Sequence, residues 1–504
     1  MAQDVIIIGG GLGGLVAGAT LAKAGKRVML IEQHSIVGGC ATTFKRKDFT
    51  VEVGLHEIDG LYENDVKRKI FDELDVFNEV EFVRVPEFYR FTNGRVDIVI
   101  PDNPEEAVKV LIERFPEETD GIKKFFHTIE NIYREIDSLP SENWKMKLML
   151  PVFPLLYRNI FFNLKKTVGD FIDAIINNED LKLVLIANIG YFHDDPHTMS
   201  LIFFAIAQFR FYQRANYIKG GSQQLSNHLA NVIQSNGGEV LTGQLVIKII
   251  IENGKATGVK YKRTFDKDTE EKVAYANTII ANAAIPNIPE MLPPREKNIL
   301  QSKIKGLKTS CSLLSIYIGF KKPLKELGNR HYSTFRFDEN VKKLRQFIEI
   351  IKNTDFNKRG FVFVDYGQIE SGLTGANKSL GVITTIDYLS NWENLTNEEY
   401  RKKKEEVAQI FLNKLERLVP GSKNEIEFYE VGTPKTIRRY TKNPEGTPYG
   451  YDQIPQQANV KRIDHKSPID NLYFASAWTN PGGGFTGAIL AGYFCAKTIL
   501  DNIN

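Results

Sequence analysis

Apolar positions along this chain follow two periods, one of strands and one of helices. Val5-Ile6-Ile7-Ile8 is a continuous apolar run that stops at Gly9-Gly10-Gly11-Leu12-Gly13-Gly14. An alanine-rich stretch with helical spacing follows, then the run Arg27-Val28-Met29-Leu30-Ile31, which ends on the acid Glu32. The order predicts strand, glycine turn, helix, strand and acid. A second turn, Gly38-Gly39-Cys40, leads to Phe49–Gly54, which reads as a strand. From about residue 75 the pattern changes, and Glu105 to Ile186 alternates amphipathic helical stretches with prolines. After Tyr217–Ser222 the chain turns into a helix that runs to Ser235 and stops at Asn236-Gly237-Gly238. Val246–Glu252, Asn253-Gly254 and Lys255–Lys262 form a predicted hairpin, because Asn-Gly suits the two positive-φ positions of a type I′ turn. Thr278–Ala283 and Asn471–Ala477 read as buried strands, and residues 300–425 alternate strands with helices. The last strand leads into Gly482-Gly483-Gly484-Phe485-Thr486-Gly487 and a closing helix.

The opening unit has the form of a dinucleotide fingerprint, since the glycine pattern ends a strand and starts a helix. Gly9 permits the tight turn, Gly11 lets backbone approach a pyrophosphate, and Gly14 lets the helix pack on the strand. Leu12 and Gly13 begin the helix whose free N–H groups and dipole favour negative charge, while Glu32, with Gln33 beside it, meets ribose hydroxyls. The second glycine cluster repeats the spacing, but Asn504 comes too soon after it for another strand and acid.

A length of 504 residues predicts two to three domains, and 42% apolar residues is ample for their cores. A net charge of +3 gives no case for nucleic acid. Three cysteines far apart, Cys40, Cys311 and Cys495, suggest neither a disulfide framework nor zinc, and point to a reducing compartment. The first strand leaves no room for a leader, and no apolar run is long enough to span a bilayer, so a cytoplasmic protein peripheral to the membrane is expected. The 32 Phe and 20 Tyr suit a long apolar cavity.

Together these pieces resemble the FAD-dependent amine oxidase and phytoene desaturase superfamily over essentially the whole chain. Glu32-Gln33-His34, Gly38–Phe44, Gly54-Leu55-His56, the Gly-Gly-Ser of Tyr217–Leu225 and Thr447-Pro448-Tyr449-Gly450 look most like its retinol saturase branch, close to carotenoid isomerases. The resemblance implies an α/β fold: a Rossmann-type FAD-binding domain from 1–75, 205–300 and 425–504, interleaved with an α+β substrate domain from 76–204 and 301–424 that carries a helical region. It implies FAD held non-covalently by three segments. The residues are Gly9, Gly11, Leu12, Gly13, Gly14, Glu32, Gln33, Gly38, Gly39 and Thr43, then Val246 and Ala281, then Trp478 and Gly484, Phe485, Thr486 and Gly487. Val246 would offer backbone to adenine, and the helix opening at Gly484 would aim its positive end at the flavin ring. The chain departs twice from the family pattern, with Cys40 where many members carry Arg and Ala477-Trp478 where many carry Gly-Asp. Thr479 or Asn480 is left to replace that carboxylate.

The implied chemistry is hydride transfer between flavin N5 and a carbon, with a proton moved at the neighbouring carbon. The expected substrate is a hydrophobic polyene, a retinoid or carotenoid, whose C=C bond is saturated. Desaturation, cis-trans isomerisation, amine oxidation and non-catalytic lipid carriage are the alternatives. No nicotinamide site is evident, which leaves another protein or a quinone pool to exchange electrons. His56 is the candidate to donate a proton or hold a substrate oxygen, with Glu57 as its partner unless that carboxylate is simply solvated. His193 and His197 sit in a proline-broken loop, so no metal is expected, and Cys40 reads as a small packing residue. Leu148–Tyr157 with Ile160-Phe161-Phe162, flanked by Lys145, Lys147, Arg158, Lys165 and Lys166, suits a membrane interface or a helical lid.

Overall fold

The computed structural model describes residues 3–140, 145, 148–265 and 270–503; Lys147 and Asn504 lie outside the described residues. Two seven-stranded sheets dominate the described residues. In the first, Gln3–Ile8 lies parallel to Val28–Ile31 on one side and to Lys272–Ala281 on the other. Because strand side chains alternate, Val5 and Ile7 pack beneath the helices while Ile6 and Ile8 enter a separate core shared with the hairpin Gln244–Glu252 and Lys255–Arg263. The hairpin turns at Asn253 and Gly254 with φ of 50° and 77°, as the sequence predicts. The helices Leu12–Lys23 and Gln223–Ser235 likewise match their predicted runs.

The last strand is shorter than Asn471–Ala477. It pairs with Lys272–Ala281 only over Leu472–Phe474, and the chain then leaves the sheet to pass over the first helix. Contact there is so close that a Cβ on Gly13 would stand 2.1 Å from the Ala475 carbonyl oxygen. One on Gly492 of the closing helix, Gly484–Ile503, would stand 2.3 Å from the Gly13 carbonyl oxygen, so the two helices meet backbone to backbone.

The second sheet runs in the order Ile426–Gly432, Ser312–Phe320, Ser379–Asp387, Phe361–Asp365, Ser333–Arg336, Tyr89–Thr92, Asp97–Ile100. It is antiparallel except where Ser333–Arg336 meets Tyr89–Thr92. Ile426–Gly432 thus closes this sheet as an edge strand after the helix Asn397–Leu418. Leu314, Ile316 and Ile318 pack under Phe411 and Leu415 of that helix. The alternate positions Leu313, Ser315 and Tyr317 face a cavity on the other side of the sheet. Helices within 104–211 cover the remainder, among them Thr119–Asp137 and Leu201–Phe211. Among the described residues no helix is long and apolar enough to cross a membrane.

Candidate functional site

A cavity of about 870 Å³ extends from the glycine turn of the first sheet to the inner face of the second. At its first end Gly9 takes φ of +98°, which a side chain would resist, and Gly11 caps the helix Leu12–Lys23. Asn282, which sequence reasoning missed, braces this turn. Its Nδ2 donates to the carbonyl oxygens of Gly9 (3.0 Å) and Gly11 (3.2 Å), and its own N–H donates to Ile8. The only sequence signal was a polar residue at the end of a strand expected to lie beside the fingerprint.

Glu32 lines the cavity and is 8% exposed. One carboxylate oxygen accepts from Gly10 N–H at 2.6 Å and the other from His34 N–H at 2.7 Å. Burial raises its pKa, and those two bonds oppose the rise. Gln33 and Gln244 stand nearby, each with a buried amide oxygen that no hydrogen bond reaches. Val246, Gly38, Gly39, Asn480 and Trp478 also line this region, whereas Thr479 is fully buried and bonded to Ser476.

Three expected residues lie outside the lining. A Cβ on Gly14 would meet the Gly9 carbonyl oxygen at 2.4 Å, so this glycine serves helix packing. Thr43 pairs with Glu52 in the hairpin Thr43–Arg46 and Phe49–Glu52, its methyl turned to Gly221. Ala281 points into the core under the Gln244–Arg263 hairpin, the face opposite Ile280.

The closing helix opens on the cavity. Gly484, Phe485, Thr486 and Gly487 all line it, and a Cβ on Gly484 would find nothing within 4 Å. The Thr486 hydroxyl donates to Asp59, which is paired with the fully buried Lys67 at 3.0 Å. Burial raises the Asp59 pKa, but Lys67 and Arg210 outweigh it and hold the carboxyl below its usual range.

His56 and Glu57 occupy the bend that follows Phe49–Glu52, held by tyrosines reaching in from the second sheet and its connections. Tyr317 donates to the Val53 carbonyl (2.9 Å), Tyr366 to Leu55 (2.7 Å) and Tyr332 to His56. From behind, the buried Glu52 accepts from the N–H groups of Gly54, Leu55 and Ser222 and from the Ser222 hydroxyl. Groups far apart in the chain thus fix two neighbours in the cavity wall.

His56 Nδ1 lies 3.0 Å from the Tyr191 hydroxyl and Nε2 lies 3.4 Å from Thr384 Oγ1. Desolvation pushes its pKa down to about 4, so the ring is neutral near pH 7. Glu57 is no solvated carboxylate: it is 8% exposed, and Oε2 has no hydrogen-bond partner. Burial, followed by the charges of Asp59, Asp102 and Glu87, holds its pKa well above the usual range, so it is a neutral acid. Around the pair stand Tyr191, Phe192, Phe211, Phe335 and Phe337, with the rings of Tyr191 and Phe335 5.6 Å apart edge to face. Cys40 also lines the cavity, its thiol pushed up to about 11 by burial, so it is protonated. His193 lies between Asp194 (3.1 Å) and Asp452 (2.8 Å), and His197 bonds Asp173. The two loop histidines therefore engage separate carboxylates.

These residues fit FAD. A glycine cradle, two helix N-termini, the buried acid Glu32 and two unmet amide oxygens share one cavity with an apolar extension.

The chain is 27% identical to the all-trans-retinol 13,14-reductase of Danio rerio, an alignment covering 99% of this chain and 86% of that protein. It is 26% identical to prolycopene isomerase 2, chloroplastic, of an Oncidium hybrid cultivar over 99% and 84%. Its fold is similar to that of cyclohexylamine oxidase from Brevibacterium oxydans, with a TM-score of 0.64 and 16% identity over 100% of both chains. The family model for flavin containing amine oxidoreductases matches residues 12–500, so the chain belongs to that family and is an FAD-dependent oxidoreductase.

Proposed function

We propose that this enzyme saturates a C=C bond of a conjugated isoprenoid, a retinoid or carotenoid, with FAD held by the glycine turn, Glu32, Gln33, Val246, Trp478 and the Gly484–Gly487 helix start. The observation that carries this reading is the continuity of the cofactor cradle with an aromatic cavity whose wall holds the buried Glu57, its Oε2 without a hydrogen-bond partner. Reduced FAD would supply a hydride to one carbon of the double bond. Glu57 supplies the proton to the other carbon, because burial raises its pKa and favours the protonated acid, while His56 is the neutral imidazole near pH 7 and not an imidazolium acid. His56, braced by Tyr191, orients the polyene, and the aromatic walls exclude water. Retinol reduction and prolycopene isomerisation, the activities named for the two relatives, both concern polyenes.

The test is product mass and retention time after chemically reduced enzyme is held anaerobically with all-trans-retinol and, separately, with a carotenoid. A gain of two hydrogens is expected. Unchanged mass with altered retention would make the enzyme an isomerase, and flavin bleaching of the oxidised enzyme by a carotene would make it a desaturase.

The segment Leu148–Phe162 supports a peripheral membrane contact through which such a substrate enters. Leu148, Leu155 and Phe162 are 73%, 75% and 60% exposed, while Tyr157 and Ile160 turn inward. Glu135 ties the segment to the helix Thr119–Asp137 by accepting from Asn159 and Ile160 N–H groups. Among the described residues none between 148 and 166 lines the cavity, which favours an interface over a lid. Ile136 in the last turn of that helix and Leu139 just beyond its end do line it. Replacing both Leu155 and Phe162 with Glu is expected to cut co-sedimentation with anionic phospholipid vesicles by about tenfold or more, since each apolar side chain loses roughly 1.5–3 kcal/mol of burial. Undiminished co-sedimentation would reject the interface.

A further inference from the structure

The helix Leu201–Phe211 lines the cavity with Phe203, Ile206, Ala207 and Arg210, positions that share one face at helical spacing. Three are apolar or small, over a length of about 10 Å, and the fourth is a guanidinium. No hydrogen bond or ion pair within reach satisfies Arg210 among the described residues, and its Nε is fully buried without a partner. Its contact is the ring of Tyr133, 6.0 Å from guanidinium carbon to centroid. The cavity lining also includes Val66, Ile136 and Leu139, with the acid Asp137 between the last two.

We infer that Arg210 is a substrate anchor that donates hydrogen bonds to a neutral oxygen, a hydroxyl or carbonyl, at one end of the polyene; this rests on the polyene reading above. Nε is buried and unmet, and no side-chain hydrogen bond to the rest of the guanidinium is present among the described residues, so a hydrocarbon end group there leaves its donors without the acceptor that an oxygen supplies. The charges around Arg210 explain why that oxygen is neutral. Asp59 and Asp65 are the acids that act on it, and Lys67 already lies 3.0 and 3.5 Å from them. These two carboxylates and two cations balance, and Asp137 adds a further acid to the cavity lining. A carboxylate on the ligand would add an unpaired negative charge beside Asp59, whereas a hydroxyl or carbonyl accepts without one.

The experiment compares Kd values of the FAD-loaded protein for all-trans-retinol, for the hydrocarbon lacking its hydroxyl, and for the corresponding carboxylic acid, read from polyene absorbance. The wild type is expected to prefer retinol over the hydrocarbon by about tenfold to a hundredfold, as a hydrogen bond to a charged group contributes roughly 1.5–3 kcal/mol. Arg210→Leu is expected to abolish that preference and leave hydrocarbon binding intact, and Arg210→Lys to restore part of it. If Arg210→Leu does not fold with FAD bound, Arg210→Gln and Arg210→Lys carry the comparison. A preference that survives these substitutions overturns the anchor, as does a wild type that binds the hydrocarbon equally well or the acid best. A wild type that binds none of the three overturns the polyene reading itself, and the anchor with it.

Discussion

A Gly11→Val protein is expected to fold, purify colourless and stay colourless when FAD is added. At this position φ is −73° and ψ 170°, extended backbone that any residue adopts. A Cβ would meet only the Asn282 amide, at 3.2 Å. The fold thus has little reason to reject the side chain. The branch projects instead into the cavity at the start of the first helix, where the pyrophosphate of FAD would lie against free N–H groups. Forcing extra carbons into a close-packed contact costs about 1–3 kcal/mol, so FAD affinity should fall by up to about a hundredfold, more if the N–H contacts are lost as well. Gly13→Ala is the contrasting control. Its Cβ would stand 2.1 Å from backbone that cannot swing aside, so it should lower the melting temperature of the cofactor-free protein. Bound-flavin absorbance and thermal melting separate the two outcomes. Wild-type flavin content in Gly11→Val would show that the cradle is not where FAD binds.

The contrast also shows what could be read from the sequence. The strand, turn and helix at the amino terminus, the Asn-Gly hairpin and the helix from Gln223 to Ser235 are local structures. Their signals, periodicity and positive-φ residues, lie within the segment that forms them. The supports of the candidate site are of another kind. Asn282 reaches the glycine turn only because its strand lies in parallel register with Gln3–Ile8. Glu52 gathers Gly54, Leu55 and Ser222, and three tyrosines beyond residue 310 hold the backbone of residues 53–56. Nothing in the local pattern marks such residues, because each is defined by a partner distant in the chain. Thr43 and Ala281 illustrate the same limit from the other side. Each lies one or two residues from a cavity-lining neighbour, but Thr43 opens a hairpin strand with its methyl against Gly221 and Ala281 packs into the core under the Gln244–Arg263 hairpin.

Glu57→Gln is expected to leave FAD bound and polyene affinity nearly unchanged while lowering the rate of polyene reduction by about a hundredfold to ten-thousandfold, the range for loss of a general acid. The substitution keeps size and polarity, so the cavity should retain its shape. It removes the proton that burial and the neighbouring acids Asp59, Asp102 and Glu87 keep on the carboxyl group. The pH dependence follows from the direction of that shift. Only the protonated acid can donate, so wild-type turnover should be sustained above the ordinary carboxylate range and decline as pH rises through the elevated pKa of Glu57. The Glu57→Gln protein should lose that decline along with most of its rate. His56 cannot take over near neutral pH, since its pKa of about 4 leaves it uncharged there. Single-turnover measurements with pre-reduced enzyme isolate this step from flavin reduction. A Glu57→Gln protein that reduces the polyene at the wild-type rate would show that the proton reaches carbon by another route, through ordered water or the Tyr191 hydroxyl beside His56.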